Sequence, residues 1–261
     1  MKILTLIFLF LVVYVLFFLQ WKKKNQTFYL KNRPIIFGHR GSPTYITENT
    51  IASFEKALDQ KVDGLEFDVR CTRDKKVIVF HDKNLKRLAG KNKNVKSLTL
   101  HEIKKIKLKN GEEIPLLEEI VPLLQQTKVI NIEIKSDSLF GGFDTLSTVI
   151  EFIKNNSLEK KCIVSSFNPL VLLKIKKTSP AVIIGYLYNK KVIFHSWHNL
   201  FWITRVKPDS LHIHYSLLDS WIVWWSRKRG LKINSYTINN KSVFSKDKID
   251  GVFTDNKEYL K

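Results

Sequence analysis

Short apolar runs separated by longer amphipathic stretches make up the chain from Pro34 onward. Runs of this length, rich in Val, Ile and Phe, predict β-strands, and the stretches between them predict helices. The predicted strands are Ile35–Phe37, Gly64–Val69, Val77–Phe80, Val129–Ile134, Cys162–Ser165, Val182–Leu187, Ser210–Ile213, Leu231–Tyr236 and Gly251–Phe253. The predicted helices lie near 49–60, 116–126, 144–156, 168–177 and 216–229, with a weaker pattern at 240–246.

The alternation of strands and helices predicts a parallel sheet, because parallel neighbours need a crossover connection. So many strands favour a closed barrel, and a TIM barrel typically has about 250 residues. Two details break the eightfold repeat. One strand too many is predicted, and the link between Val69 and Lys76 is too short for a crossover helix. We therefore expect residues 25–261 to form a distorted TIM (β/α)8 barrel, in which one short strand is either wrongly assigned or lies outside the ring.

The N-terminus has a different pattern, because Ile3–Leu19 contains no charged residue. As a helix this stretch would span about 26 Å, close to the thickness of a bilayer core. Lys22–Lys24 follow it in place of the small residues of a signal-peptide cleavage site. We expect residues 1–24 to form one uncleaved transmembrane helix with Trp21 at the interface. The lysines that follow the stretch outweigh Lys2, so the positive-inside rule predicts a single-pass protein with its globular part in the cytoplasm.

The charge balance adds one constraint, because 44 basic and 24 acidic residues give a net charge of +20. The excess reflects either compositional bias or a basic face for an anionic membrane or substrate. The basic residues are dispersed and form no nucleic-acid-binding motif, so no nucleic-acid partner is predicted. Cys71 and Cys162 are too few for a disulfide framework and are compatible with a reducing compartment.

The candidate chemistry lies at the ends of the predicted strands, where barrel enzymes carry their active sites. Glu66 and Asp68 are two residues apart, so both face the barrel interior. Two buried carboxylates repel each other unless a cation lies between them, although on an edge strand they would simply be solvated. By the same spacing, Glu133 and Lys135 share the interior face. Three carboxylates would form an all-oxygen site, which suits Mg²⁺ or Ca²⁺ rather than zinc.

Several short motifs occur in one order along the chain. They are His39-Arg40-Gly41, Glu48-Asn49-Thr50, Gly64-Leu65-Glu66-Phe67-Asp68-Val69, Val77-Ile78-Val79-Phe80-His81-Asp82, Asn131-Ile132-Glu133-Ile134-Lys135, Ser165-Ser166-Phe167, Tyr236-Thr237-Ile238-Asn239 and Asp250-Gly251-Val252-Phe253-Thr254-Asp255. In this order they resemble the glycerophosphodiester phosphodiesterase family. The resemblance extends from about Ile35 to Leu260.

The resemblance implies a TIM-barrel phosphodiesterase that uses one divalent cation and releases glycerol 3-phosphate and an alcohol. It implies these roles: Glu66, Asp68 and Glu133 as metal ligands, His39 and His81 as the acid/base pair, and Arg40 and Lys135 as phosphate ligands. The chemistry agrees, since one imidazole must take a proton from the attacking oxygen and a second must protonate the leaving alkoxide.

Two of four further residues keep two interpretations. Glu48 either contacts the site or begins a helix, where an acidic residue is favoured. Tyr236 stands where the family usually has Trp, and it either stacks on substrate or packs internally. Arg70 and Arg73 flank the second strand and are expected to be exposed to solvent.

Two surface regions are also singled out. The polar run Lys83–Lys109 predicts an excursion over the mouth of the barrel. Trp221, Trp224 and Trp225 have helical spacing and precede basic residues, and the aromatic residues at 197, 201 and 202 lie near basic residues. Such clusters either pack on the barrel or face a membrane.

Three functions therefore compete. The first is hydrolysis of soluble glycerophosphodiesters, and the second is a lysophospholipase D reaction on membrane lysophospholipids. The third is an inactive, membrane-tethered barrel that binds phospholipid head groups. A complete set of two histidines and three carboxylates favours the two enzymes.

Overall fold

The computed structural model describes residues 2–17, 21, 24, 26–188, 196–244 and 247–260. The strands are β1 (Ile35–His39), β2 (Gly64–Cys71), β3 (Val77–Val79), β4 (Val129–Ile134), β5 (Cys162–Ser166), β6 (Ile183–Tyr188), β7 (Ser210–His214), β8 (Lys232–Tyr236) and β9 (Gly251–Thr254). The α-helices are α1 (Lys2–Phe17), α2 (Ile51–Asp59), α3 (Lys86–Ala89), α4 (Leu100–Lys104), α5 (Val121–Gln125), α6 (Phe143–Asn155), α7 (Pro169–Thr178), α8 (Ser196–Val206) and α9 (Trp221–Lys228).

Eight of these strands form a closed parallel barrel. Neighbours pair in the order β1-β9-β8-β7-β6-β5-β4-β2, and β1 also pairs with β2, which closes the ring. β3 pairs antiparallel with β2 and lies outside the ring. The predicted distorted TIM barrel is confirmed, and of the two alternatives for the extra strand, a real strand outside the ring is the one observed. One distortion lies between β8 and β9, where the link contains the 3₁₀ turn Lys241–Val243 in the region of the weak pattern at 240–246.

Local sequence explains where several helices begin. The Thr50 side chain accepts a hydrogen bond from the Ser53 backbone N–H at the start of α2. Asn168 caps α7 in the same way, and Pro169 occupies the first helical position. Helix α9 starts later than predicted, because residues 215–217 form a 3₁₀ turn. Helix α8 was not predicted, since its aromatic residues suggested a surface cluster rather than a helical period.

Alternation along the strands divides the core in two. Outward side chains such as Leu65, Phe67 and Ile132 are buried against the surrounding helices. Inside the barrel, a second apolar cluster includes Phe37 and Phe253, whose rings stack with centroids 4.8 Å apart. Polar side chains therefore occupy the interior near the carboxyl ends of the strands.

The polar run Lys83–Lys109 has its own small core, which includes Leu85, Val95 and Ile103. The run forms short elements rather than one long one, and its Arg87 reaches Glu48 at the rim of the barrel. This position agrees with the predicted excursion near the mouth.

Three aspartates bind neighbouring strands together at the amino end of the barrel. Asp63, Asp209 and Asp250 each immediately precede a strand. Their carboxylates accept hydrogen bonds from the backbone N–H groups of residues 36, 184 and 233 in the adjacent strand, at 2.8–3.0 Å. Each also pairs with a cation, contributed by residues 33, 24 and 232 respectively. These contacts satisfy strand-end donors that lack a ladder partner.

Asp63→Asn is expected to make the free energy of unfolding less dependent on pH in the acid range. Burial alone would raise the pKa of Asp63, but hydrogen bonds from Arg33 and the Ile36 N–H lower it below its usual value. A carboxyl with a depressed pKa stabilises the fold fully above its unfolded pKa, and that stabilisation is lost as pH falls through the folded pKa. Wild type should exceed the variant by about 1–3 kcal/mol at neutral pH, and the difference should shrink below about pH 4.

Urea unfolding across this pH range measures the effect. Asp59→Asn is the matched control, because Asp59 is an exposed residue at the end of α2 and should change stability by less than about 0.5 kcal/mol. A wild-type advantage that stayed constant into the acid range would contradict the role given to the Asp63 carboxylate.

The segment before β1 closes the amino end of the barrel. Tyr29 exchanges hydrogen bonds with the Asn234 side chain inside the ring. Trp21 packs edge-on against Trp225 of α9, with ring centroids 5.7 Å apart. Lys24 Nζ lies 3.1 Å from Asp209. The chain therefore reaches the barrel at the end opposite the carboxyl ends of the strands.

Helix α1 covers the first part of the predicted transmembrane stretch, and most of its apolar side chains are exposed. No helix in the described part of the chain combines the length and apolar character needed to cross a bilayer. Residues 18–20, which belong to the predicted stretch, lie outside the described residues. The predicted transmembrane helix is not confirmed.

Candidate active site

Seven of the nine predicted site residues line one cavity of about 170 Å³ at the carboxyl ends of the strands. They are His39, Arg40, Glu66, His81, Glu133, Lys135 and Tyr236. The other two, Glu48 and Asp68, each contact Arg40. The structure thus brings together residues that are far apart in sequence.

A tight turn after β1 aims the first of these groups. Arg40 and Gly41 both have left-handed backbone conformations, with φ of 55° and 90°. A Cβ atom on Gly41 would lie 2.6 Å from the Ser53 carbonyl oxygen, so only glycine fits. The turn directs the Arg40 N–H to Glu66 Oε2 at 2.9 Å, which fixes that carboxylate inside the ring.

Glu66, Asp68 and Glu133 form a buried cluster, with one oxygen of each lying within 4.8 Å of the others. Burial and the neighbouring Asp68 raise the pKa of Glu66 to about 8. Burial would also raise the pKa of Asp68, but Lys135 and Arg40 hold it well below its usual range. Among the described residues, Asp68 Oδ1 has no hydrogen-bond donor, although the Lys135 ammonium is 3.1 Å away.

These features fit a divalent cation. Three converging carboxylates repel one another unless a positive charge lies between them, and after burial the Asp68 charge is the next cause that raises the pKa of Glu66. Their oxygen atoms are the ligand type that Mg²⁺ and Ca²⁺ prefer. The cluster could therefore hold one such ion.

Arg40 and Lys135 surround the same carboxylates. The Arg40 guanidinium donates to Glu48 Oε1 at 2.9 Å, and its Nε lies 3.1 Å from Asp68 Oδ2. Lys135 Nζ donates to Glu133 Oε1 at 2.6 Å. Burial alone would lower the pKa of both cations, but the carboxylates raise it, so both stay protonated.

His39 is held by a carboxylate from the last strand. Its Nδ1 lies 2.7 Å from Asp255 Oδ1, and its Nε2 lies 4.0 Å from Glu66 Oε2. Burial would lower the pKa of His39, but Glu66 and Asp255 raise it above its ordinary value. With Asp255 accepting from Nδ1, the Nε2 atom is the one available for proton transfer.

His81 is held in the same manner by the next residue in the chain. Its Nδ1 lies 2.7 Å from Asp82 Oδ1, and Arg87 pairs with the other oxygen of Asp82 at 2.6 Å. Burial lowers the pKa of His81, although Asp68 opposes the shift. Each of the two imidazoles thus has its own orienting carboxylate.

The expectation that Arg70 is exposed is wrong. Its Nε donates to the His81 carbonyl oxygen at 2.8 Å, and its Nη1 donates to Asp137 at 2.8 Å. Only 9% of Arg70 is exposed, because it shares the inward-facing period of Glu66 and Asp68. Arg73, by contrast, is mostly exposed, as expected.

Comparison with known proteins identifies the family. The sequence model of the glycerophosphoryl diester phosphodiesterase family matches residues 39–258. The chain belongs to this family. It is 35% identical over 240 residues to a glycerophosphodiester phosphodiesterase of Caldanaerobacter subterraneus, a match that covers 87% of this chain and 96% of the relative. This phosphodiesterase is therefore a phosphoric diester hydrolase.

Two solved structures have the same fold as this phosphodiesterase. An Oleispira antarctica phosphodiesterase, in complex with the product sn-glycerol-3-phosphate, is 27% identical with a TM-score of 0.77, covering 87% of this chain and 95% of its own. A glycerophosphodiester phosphodiesterase from Thermotoga maritima is 31% identical with a TM-score of 0.71, covering 87% and 96% respectively. A shorter match, 35% identical over 127 residues, is to human lysophospholipase D and covers 44% of this chain and 39% of that protein.

The structure shows the contacts of the two residues at the rim of the phosphodiesterase site whose interpretation was open. Glu48 precedes α2 and accepts hydrogen bonds from Arg40 and Arg87, so it contacts the site rather than beginning the helix. Tyr236 lines the cavity and also packs internally, since its hydroxyl donates to the Tyr188 carbonyl oxygen at 2.9 Å.

Sequence reasoning assigned no role to several residues that shape the phosphodiesterase site. Asp255 and Asp82 orient the two imidazoles, and their places in the motifs were the available signal. Asn49 donates to Asp68 Oδ2 at 2.9 Å. His212 lines the cavity, and burial lowers its pKa to about 3, which keeps this imidazole neutral.

Proposed function

We propose that this phosphodiesterase hydrolyses glycerophosphodiesters to glycerol 3-phosphate and an alcohol, using one divalent cation, Mg²⁺ or Ca²⁺. One observation carries the proposal. Two imidazoles, each oriented by its own carboxylate, line the same cavity as Glu66 and Glu133, two members of the buried cluster of three acidic residues. The product sn-glycerol-3-phosphate in the Oleispira antarctica relative supports the same substrate class.

Glu66, Asp68 and Glu133 would hold the cation. When bound, it would supply Lewis-acid stabilisation of the negative charge on the phosphate oxygens. Arg40 and Lys135 would bind the remaining phosphate oxygens with charge-assisted hydrogen bonds. Carboxylates already hold the Arg40 and Lys135 side chains at the cavity, so these side chains do not have to reorganise for each substrate.

His39 and His81 would move the protons. Asp255 and Asp82 accept from the Nδ1 atoms, which leaves each Nε2 to exchange a proton with substrate. One imidazole would accept the proton of the attacking hydroxyl or water, and the other would protonate the leaving alkoxide. Arg70 would hold the His81 backbone in place through its hydrogen bond to the carbonyl oxygen.

The decisive experiment measures choline release from glycerophosphocholine and lysophosphatidylcholine in parallel, using the purified full chain in detergent with Mg²⁺, Ca²⁺ or chelator. Cation-dependent release from glycerophosphocholine, abolished by chelator, is the expected result. Full activity in chelator would overturn the cation requirement. Activity on neither substrate would leave other head groups to be tested before the proposal is abandoned.

Lysophospholipase D activity is the second candidate. The match to human lysophospholipase D favours it, although that match covers less than half of each chain. Release mainly from lysophosphatidylcholine would select this reaction. The third hypothesis, an inactive barrel that binds head groups, is disfavoured because the chain belongs to a family of hydrolases and retains both histidines.

For the N-terminal segment, we propose membrane attachment through residues 1–24, with the barrel of residues 25–261 on the cytoplasmic side. The uncharged stretch and the lysines that follow it support this arrangement. Protease added outside intact cells should leave the barrel uncut. Digestion of the barrel would show that it lies on the outer side of the membrane and would contradict the proposed orientation.

A further inference from the structure

Among the side chains that the structure describes, three large aromatic ones are exposed on the outer faces of α8 and α9. Phe201 is 56% exposed, Trp221 is 50% exposed and Trp224 is 58% exposed. Trp225 on the same helix is fully buried in the core. The tryptophan cluster therefore divides: Trp225 packs on the barrel, while the other two project outward along one stripe of α9.

Basic residues lie at the carboxyl-terminal side of each aromatic stripe. Arg205 follows Phe201 by one helical turn on α8, and Lys228 follows Trp224 on α9. The Lys228 ammonium lies 6.0 Å from the centre of the Trp224 ring. Neither helix contains an acidic residue. Both stripes therefore change from aromatic to cationic in the same direction.

The two stripes lie on consecutive helices around the barrel. Helix α8 connects β6 to β7 and helix α9 connects β7 to β8, and these three strands are consecutive neighbours in the sheet. Both helices return antiparallel to the strands, as crossover helices must. We call the set Phe201, Arg205, Trp221, Trp224, Arg227 and Lys228 the aromatic–basic face.

The segment that leads from the apolar helix α1 meets the barrel at α9. Trp21 packs against Trp225, directly behind the exposed stripe. Helix α1 itself exposes apolar side chains along most of its length. Helix α1 and the outer stripe of α9 therefore both expose apolar side chains. The contact between Trp21 and Trp225 brings the segment that follows α1 to helix α9.

We propose that the aromatic–basic face lies on the surface of an anionic lipid bilayer. Exposed tryptophans with neighbouring cations suit the interface between head groups and acyl chains, where the ring is partly buried and the cation meets lipid phosphate. The net charge of +20 adds long-range attraction to such a surface. This contact is independent of the proposed reaction, and it requires no membrane-spanning helix.

The proposed contact fixes how the barrel would lie. Trp221 begins α9 near the carboxyl end of β7, on the side of the cavity, and Lys228 ends it towards the amino end. A bilayer against this face would run along the side of the barrel. The mouth of the cavity would then open beside the lipid surface instead of being covered by it.

A barrel without α1 is suitable for the test. The relative from Caldanaerobacter subterraneus is matched over 96% of its length by 87% of this chain, so a barrel of this family exists without an added N-terminal segment. A polypeptide of residues 21–261 retains the Trp21, Lys24 and Tyr29 contacts. Thermal unfolding followed by circular dichroism confirms that each variant is folded, and this control does not depend on activity.

Sedimentation with vesicles tests the proposal. Vesicles of phosphatidylcholine alone are compared with vesicles that also contain roughly 30 mol% phosphatidylglycerol. Binding to the anionic vesicles is expected, and Trp221→Ala/Trp224→Ala should weaken it about tenfold or more. Arg227→Glu/Lys228→Glu should weaken it as well. Phe140→Ala is the matched control, because Phe140 is an exposed aromatic outside this face, and its removal should have no effect.

Three outcomes would overturn the proposal. The first is no binding to anionic vesicles, and the second is equal binding by wild type and the double tryptophan variant. The third is self-association without vesicles that the double variant abolishes, which would make this face a contact between copies of the chain.

Discussion

His81→Ala is expected to lower kcat for glycerophosphocholine by a factor of about 10² to 10⁴, with little change in KM. The imidazole lines the cavity and is oriented by Asp82 and by the Arg70 hydrogen bond to its carbonyl oxygen. In the proposed mechanism, its removal takes away a proton-transfer group but no phosphate ligand. Steady-state kinetics with saturating cation measures the loss.

His101→Ala is the matched control for this change. His101 is exposed on α4, and its replacement should leave kcat within about twofold of wild type because it touches no part of the cavity. Urea unfolding of both variants separates chemistry from stability. A His81→Ala enzyme with near-normal kcat would disprove the two-histidine scheme.

Asp68→Ala is expected to abolish cation-dependent activity and to destabilise the fold by about 3–5 kcal/mol. Asp68 is fully buried and pairs with both Arg40 and Lys135. Its loss leaves two buried cations short of a counterion and also removes one of three carboxylates from the proposed cation site. Denaturant unfolding measures the first effect, and calorimetric titration with Ca²⁺ or Mg²⁺ measures the second.

Asp219→Ala provides the comparison for Asp68→Ala. Asp219 also pairs with a lysine, Lys248, but the pair is exposed and should contribute less than about 1 kcal/mol. Cations should raise the melting temperature of wild type and of Asp219→Ala but not of Asp68→Ala. Unchanged stability and cation binding in Asp68→Ala would refute the assignment of this cluster.

The barrel was predictable because each strand is marked by a short apolar run, a signal that lies within a few residues of sequence. The period-two pattern of Glu66 and Asp68, and of Glu133 and Lys135, predicts from the sequence alone that these side chains face the inside of the ring. The short link after β2 excluded a crossover helix there, and the structure has β3 outside the ring. Helix α8 escaped prediction because its aromatic and β-branched residues show no clear polar face.

The contacts of Asp255 and Arg70 were missed because they cross the fold. His39 and Asp255 are separated by 216 positions, and only closure of β1 on β9 makes them neighbours. Arg70 was expected to be solvated because its partner, Asp137, comes from a loop after another strand. Local patterns specify which face a residue occupies, but the partner on that face is supplied by tertiary structure.

Three aspartates at the amino end of the barrel, which we call the aspartate clamps, stabilise the fold at a distance from the residues of the active site. Asp63, Asp209 and Asp250 join pairs of strands at the end of the ring opposite the cavity. Substitutions selected for heat resistance can therefore accumulate around these clamps without altering substrate preference. Substitutions selected for a new head group can be confined to the opposite rim, so an engineer can improve the two properties in separate libraries and then combine them.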